Sequence, residues 1–182
     1  MNFIETSIKD LYVIKPKLWA DERGYFYESY NQKLFAQAGI QADFVQDNQS
    51  LSHKGTLRGL HAQKEPSAQG KLVRVIQGKV LDIAVDIRKH SPTYGQHVRV
   101  ELSGDNHHLF WIPSGFLHGF VTLTDHTIFT YKVTNFYDKN AEIGVAWNDP
   151  DLKIDWGFAD SELVLSEKDK ALPLLKDIHN PF

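Results

Sequence analysis

His61, at the end of the run RGLH, and Tyr131, at the start of YKVT, are residue types that move a proton in opposite directions. A neutral imidazole takes a proton and a phenol gives one. Set on opposite sides of one carbon, such a pair can invert its configuration. Between them in the chain stand Lys71, which opens KLVR, and the run IPSGFLHGF from 112 to 120. Arg58 lies three residues before His61, and Lys71 ten residues after it. If folding gathers these cations around the imidazole, they favour its uncharged, proton-accepting form. Lys71 could also stabilise an oxyanion beside that base.

Each residue also has a plainer reading. A lone histidine at a strand start is usually structural, a half-buried strand tyrosine usually packs, and a lysine at a strand end is usually solvated. Asp169, in SEKD, reads first as a capping-box carboxylate at a helix start opened by Ser166. Its other reading is a carboxylate that orients a histidine. Arg23, in DERGYFYE, reads as a charged turn residue or, with Glu28, Gln46 and Asn48, as part of a polar recognition set. The run QDNQS from Gln46 carries an excess of amides for a strand, which suggests hydrogen bonding rather than packing. His118 follows a bend at Pro113 and Gly115 and reads as a loop residue. Its neighbour Gly119 could let a ligand approach the backbone. No metal site is expected: the residue two after His61 is Gln63, not a second histidine. His107 and His108 are adjacent and would face opposite ways on a strand.

The elements that must position these residues are mostly short alternating runs. KLVRVI from 71 to 76 and VLDIAVDI from 80 to 87 flank Gly78 and read as a hairpin. In the second run Leu81, Ile83, Val85 and Ile87 share one face; Val80, Asp82, Ala84 and Asp86 share the other. HVRVEL (97–102), HHLFWI (107–112), FVTLT (120–124) and TIFTYKV (127–133) continue the pattern. His61 itself follows a stretch, read as loop, that contains Gly55 and Gly59. So many short strands predict a mainly β antiparallel sandwich or barrel. Two helices are expected: one capped by Asn31 and stopped at Gly39, the other opening at Ser166. The stretch 150–152 and the tail from 173 read as loop or short turns.

Composition sets the outer limits. The 182 residues suit one domain, and 42% hydrophobic with 24% charged residues marks a globular chain. A net charge of −3 gives no general pull toward nucleic acid or anionic membrane, so an anionic ligand must meet a local cation cluster. With no cysteine there is no disulfide, thiolate nucleophile or thiolate metal site. No apolar run approaches a membrane span and no signal segment is evident, so a cytosolic protein is expected.

Taken in order, DERGYFYE, QDNQS, LRGLHAQ, AQGKLVRV, VDIR, SPTYG, IPSGFLHGF, YKVT, WNDP and SEKD resemble the dTDP-4-dehydrorhamnose 3,5-epimerase family over nearly the whole chain. The resemblance implies a cupin-like jelly roll with a few short helices, one domain over 1–182, no metal or other cofactor, and a homodimer. It implies a dTDP-4-keto-6-deoxyhexose substrate on the route to dTDP-L-rhamnose. It casts His61 as base, Tyr131 as acid, Asp169 as partner of His61, and Lys71 as neighbour of the keto oxygen. It assigns Arg23, Glu28, Gln46, Asp47, Asn48, Arg58, His118, Glu142 and Lys168 to nucleotide and sugar binding. Ala62, where the family more often has an aromatic, and Leu117, where a smaller residue is frequent, are departures expected to reshape the pocket. Three rival readings are a one-centre epimerase of a related 4-keto sugar, a non-catalytic nucleotide-sugar-binding jelly roll, and a metal-dependent cupin oxygenase.

Overall fold

Three clusters of buried apolar side chains organise the chain, and the strands alternate so as to feed them. The computed structural model describes residues 1–179 and 182. In chain order the strands are β1 (Asn2–Glu5), β2 (Tyr12–Lys15), β3 (Trp19–Asp21), β4 (Gly24–Phe26), β5 (Gln46–Ser52), β6 (Leu57–Gln63) and β7 (Lys71–Gln77). They continue with β8 (Lys79–Asp86), β9 (His97–Ser103), β10 (Leu109–Ile112), β11 (Phe116–Thr122), β12 (Thr127–Val133) and β13 (Glu142–Gly144). Among the described residues there are also two short α-helices, α1 (Gln32–Gln37) and α2 (Glu167–Lys170), and two single-turn 3₁₀ helices at Asp160–Glu162 and Leu175–Asp177. One sheet runs β1-β2-β10-β7-β12-β5 and the other β13-β6-β11-β8-β9, while β3 and β4 form a separate ribbon.

The first cluster lies between the sheets. Val73, Val75, Phe110, Ile112 and Phe129 come from one sheet; Val80, Ala84, Val100, Leu102, Phe116 and Phe120 come from the other. The second covers the outer face of the five-stranded sheet. There Ile83, Val85, Leu117 and Val121 pack against Val145, Leu152, Trp156 and Leu175 of the C-terminal segment. The third seats Phe35 of α1 on Ile14, Leu72, Leu109 and Trp111 behind the six-stranded sheet. The two faces read from VLDIAVDI are thus both buried, against different neighbours. The antiparallel sandwich and both helices stand as expected. The Asn31 side chain accepts from the Lys33 and Leu34 amides, and Gly39 adopts the left-handed φ of 83°.

The structure corrects several sequence expectations. β7 and β8 are not a hairpin: they lie in different sheets, and Gly78 (φ 80°) turns the chain from one to the other. A left-handed glycine serves either kind of corner, so the turn residue alone does not choose. QDNQS does form a strand, at the edge of its sheet, and alternate residues Asn48 and Ser50 face the cavity, where Gln46 bonds the Asn48 side chain rather than packing in a core. β10 starts at Leu109 rather than His107, which sits in a turn with φ 55°. β11 starts at Phe116 rather than Phe120, so His118 is a buried strand residue, not a loop residue. Among the described residues no helix is long and apolar enough to cross a membrane.

Gly59 is not in a loop either, and its place in β6 matters for function. Leu57 and Leu60 are three residues apart yet share the outer cluster. Arg58 and His61 are also three apart yet both line the same inner cavity. Period-two alternation forbids this unless the strand carries an extra residue. The pairing of β6 with β11 shows that irregularity, shifting register between His118↔His61 and Phe120↔Arg58. Gly59 absorbs it at φ 130°, and a Cβ there would lie 2.5 Å from the Gly119 Cα and 2.8 Å from the His118 carbonyl oxygen. Gly119 is therefore small to admit the backbone of β6, not a ligand. Gly59→Ala is expected to cost about 3 kcal/mol, read as a lowered melting temperature, because both the φ and the strand spacing must change.

Candidate active site

A cavity of about 650 Å³ opens between the two sheets, and both supply its walls. Arg58 and His61 enter from β6, and His118 and Phe120 from β11. Across from them stand Lys71 of β7, Phe129 and Tyr131 of β12, and Asn48 and Ser50 of β5. The third wall is the C-terminal segment with Val164, Leu165, Ser166, Lys168 and Asp169. That segment is tied on by a parallel bridge of Val164 to Thr56 and by the Leu57 amide donating to the Val164 carbonyl. Residues over a hundred positions apart are thereby brought together.

His61 and Asp169 form a hydrogen-bonded pair, Nε2 to Oδ1, at 2.7 Å. Burial alone would raise the Asp169 carboxyl, but the His61 bond and charge, the Ser166 hydroxyl and the Gly59 amide together hold it below its usual range. Asp169 thus stays ionised and accepts from Nε2–H, which leaves Nδ1 as the ring nitrogen able to take a proton. The cap bond and the pair use different atoms of Asp169: its backbone amide donates to the Ser166 hydroxyl and its carboxylate serves His61, although the same hydroxyl also favours the ionised carboxylate.

Lys71 reaches into the space between the sheets, where its Nζ donates to the His61 carbonyl at 3.4 Å. Loss of solvent brings its ammonium down to about 8, against the opposing pull of Asp82 and Glu142. Tyr131 packs on Phe129, and burial, aided by Glu142 and opposed by Arg58, raises its phenol above the usual value. It is therefore protonated at neutral pH and able to donate. The site thus holds a base, a cation and an acid, the parts needed to take a proton, stabilise the resulting anion and return a proton.

Residues 5–177 match the family model described as dTDP-4-dehydrorhamnose 3,5-epimerase. The chain belongs to that family. The dTDP-4-dehydrorhamnose 3,5-epimerase of Shigella flexneri is 53% identical over 170 residues, covering 93% of each chain. The crystal structure of the Elizabethkingia anophelis enzyme of that name matches with TM-score 0.94 and 48% identity, over 99% of this chain and 98% of that one. A Legionella pneumophila dTDP-6-deoxy-D-glucose-3,5-epimerase, solved in complex with dTDP-4-keto-L-rhamnose, matches with TM-score 0.93 and 50% identity over 97% and 94%.

Of the residues that the family resemblance assigns, the fold brings His61, Tyr131, Asp169, Lys71, Asn48, Arg58, His118 and Lys168 to the cavity. Glu142 stands at its rim, where Lys168 and the Tyr137 hydroxyl both donate to its carboxylate. Gln46 donates to the Asn48 side chain at 2.8 Å and so stands behind it. Asp47 is turned away: it pairs with Lys132 at 2.8 Å on the outer face of the sheet, as alternation from Asn48 requires. Arg23 lies in the exposed β3–β4 ribbon, bonded to Asp21, and Glu28 accepts from Asn31; neither lines this chain's cavity. Ala62 and Leu117 face the outer cluster, so neither departure reshapes the pocket wall.

Among the residues that the sequence did not single out for the site are Ser50, Phe120 and Phe129 on the cavity wall, Tyr137 at its rim and Asp82 beneath it. Asp82 carried a usable signal. It is a carboxylate among the inward-facing residues of an apolar strand, a position that demands a partner.

Proposed function

We propose that the protein is a dTDP-4-dehydrorhamnose 3,5-epimerase, converting dTDP-4-dehydro-6-deoxy-D-glucose to dTDP-4-dehydro-L-rhamnose. The observation that carries this reading is the enclosure of His61, Lys71 and Tyr131 in one cavity, with Asp169 behind His61. A 4-keto group acidifies the hydrogens on both C3 and C5. His61 removes one through Nδ1, while Asp169 stabilises the imidazolium that forms. The charge moves to the keto oxygen, where the Lys71 ammonium stabilises the enolate. Tyr131 then delivers a proton to the opposite face. Once His61 has released its proton to solvent and Tyr131 has regained one from solvent, the same sequence at the second carbon completes the conversion. The proton carriers and the stabilising cation are all side chains of this chain.

In this reading Arg58, Asn48, His118, Lys168 and Glu142 hold the diphosphate, nucleoside and sugar. Residues 1–182 act as one cytosolic domain that pairs with a second copy. Pairing is supported by the exposed β3–β4 region, where Trp19, Tyr25 and Phe26 are 47%, 59% and 67% accessible. Apolar surface of that kind suits an interface. It also accounts for Arg23 and Glu28, which reach a nucleotide only if this ribbon crosses the partner's cavity. Sedimentation velocity should give a dimer, and Phe26→Asp should give monomers with weakened nucleotide binding; a wild-type monomer would remove this part of the reading.

The reaction is tested in heavy water with dTDP-4-keto-6-deoxyglucose. Deuterium is expected at both C3 and C5, with dTDP-L-rhamnose formed once a reductase and NADPH are added. Label at one carbon alone would make the protein a single-centre epimerase, and tight binding without label a carbohydrate-binding module. Turnover should also fall above a pH of about 8, where Lys71 loses the proton that its enolate-stabilising role requires. A flat rate from pH 7 to pH 10 would remove Lys71 from that role.

A further inference from the structure

Asp82 is wholly buried, and proton transfer between His61, Tyr131 and the sugar gives it no task. It lies on the inward face of β8, opposite Phe120 in the register with β11. Its carboxylate takes His118 Nε2 at 3.0 Å on both oxygens. Both carboxylate oxygens thus lie within hydrogen-bond reach of one ring nitrogen. Burial pushes the Asp82 carboxyl up and the His118 imidazole down. The nearby positive charge of Lys71 pulls the carboxyl back toward ionisation and opposes a second cation on His118. With Nε2 committed to Asp82, any bond from His118 to a ligand must come from Nδ1.

The charged and titratable groups around Lys71 come from every wall. They are Arg58 and His61 on β6, Asp82 on β8, His118 on β11, Tyr131 on β12, Glu142 on β13, and Lys168 and Asp169 on α2. Three of these are carboxylates. Asp169 is occupied by His61, and Glu142 by Lys168 and Tyr137 at the more open rim. Asp82 alone of the three is both closed to solvent and held by a single side chain, so its charge acts on Lys71 with the least screening.

We propose that Asp82 is a positioning residue: its buried carboxylate orients His118 and supplies the counter-charge that keeps the Lys71 ammonium charged inside the cavity. This rests on the epimerase reading for its purpose but not for its test, since the charge of Lys71 can be followed without substrate.

The experiment is a titration of the Lys71 side chain by NMR, through its ¹³Cε signal, in the intact wild-type protein and in Asp82→Asn. The wild-type midpoint is expected near 8, and that of Asp82→Asn lower by about one pH unit. The alkaline limb of turnover should move by the same amount, about a tenfold loss of rate at a pH above both midpoints. A merely structural role would lower the melting temperature of the folded variant and leave the Lys71 midpoint in place, which would overturn the proposal. Should Asp82→Asn fail to fold, the Asp82 carboxyl ¹³C signal of the wild type decides. Ionisation throughout pH 6 to 8 supports the counter-charge, and protonation in that range refutes it. Failure of the epimerase reading is seen separately, as absence of deuterium uptake by the wild type.

Discussion

Tyr131→Phe is expected to lower net epimerisation by about 10²- to 10⁴-fold while leaving proton removal largely in place. The substitution deletes one hydroxyl and keeps the ring that packs on Phe129, so the cavity wall should hold its shape. His61, Asp169 and Lys71 are untouched, and the substrate still loses a proton to form an enolate. In heavy water the protonated base exchanges with solvent and returns deuterium to the face it came from. The variant should therefore label substrate without inverting it. The measurement is the ratio of deuterium uptake to product formation, compared with wild type. If uptake fell as far as epimerisation, Tyr131 would be needed for the first step, and its assignment as the acid would be wrong.

Period-two alternation made much of this site legible. The runs 71–76 and 127–133 became strands almost as bounded, and Lys71 and Tyr131 face inward where alternation with Val73 and Phe129 puts them. The same rule, applied one step further, would have removed Asp47 from the site, since it alternates with Gln46 and Asn48. Which sheet each strand joins was not legible, because a sheet-to-sheet corner and a hairpin turn both take a left-handed glycine such as Gly78. The bulge at Gly59 was hidden for a related reason. A glycine in a strand gives no sign that it absorbs a residue until the partner strand is known. β1 to β4 were missed because they are three or four residues long, too short for alternation to register, and all but β2 are largely exposed.

The choice between the two sequence readings of Asp169, helix cap or histidine partner, resolves into a prediction with opposite effects on stability and rate. The cap bond runs from the Asp169 backbone amide to the Ser166 hydroxyl, so it survives replacement of the Asp169 side chain. The pair with His61 runs through the carboxylate and does not survive as an ion pair. Asp169→Asn should therefore fold with stability within about 1 kcal/mol of wild type, yet lose turnover by about 10³- to 10⁴-fold, the scale on which a histidine base depends on its carboxylate. An amide at this position can present its NH₂ group to Nε2, favouring the tautomer that places the proton on Nδ1, where the base must be free. Ser166→Ala should do the reverse: about 1 kcal/mol less stable through the lost cap, with a much smaller loss of turnover. Thermal melts and turnover of the two variants, measured together, separate the roles. If Asp169→Asn kept near wild-type turnover, His61 would not depend on Asp169, and the proton-transfer scheme would have to do without the pair.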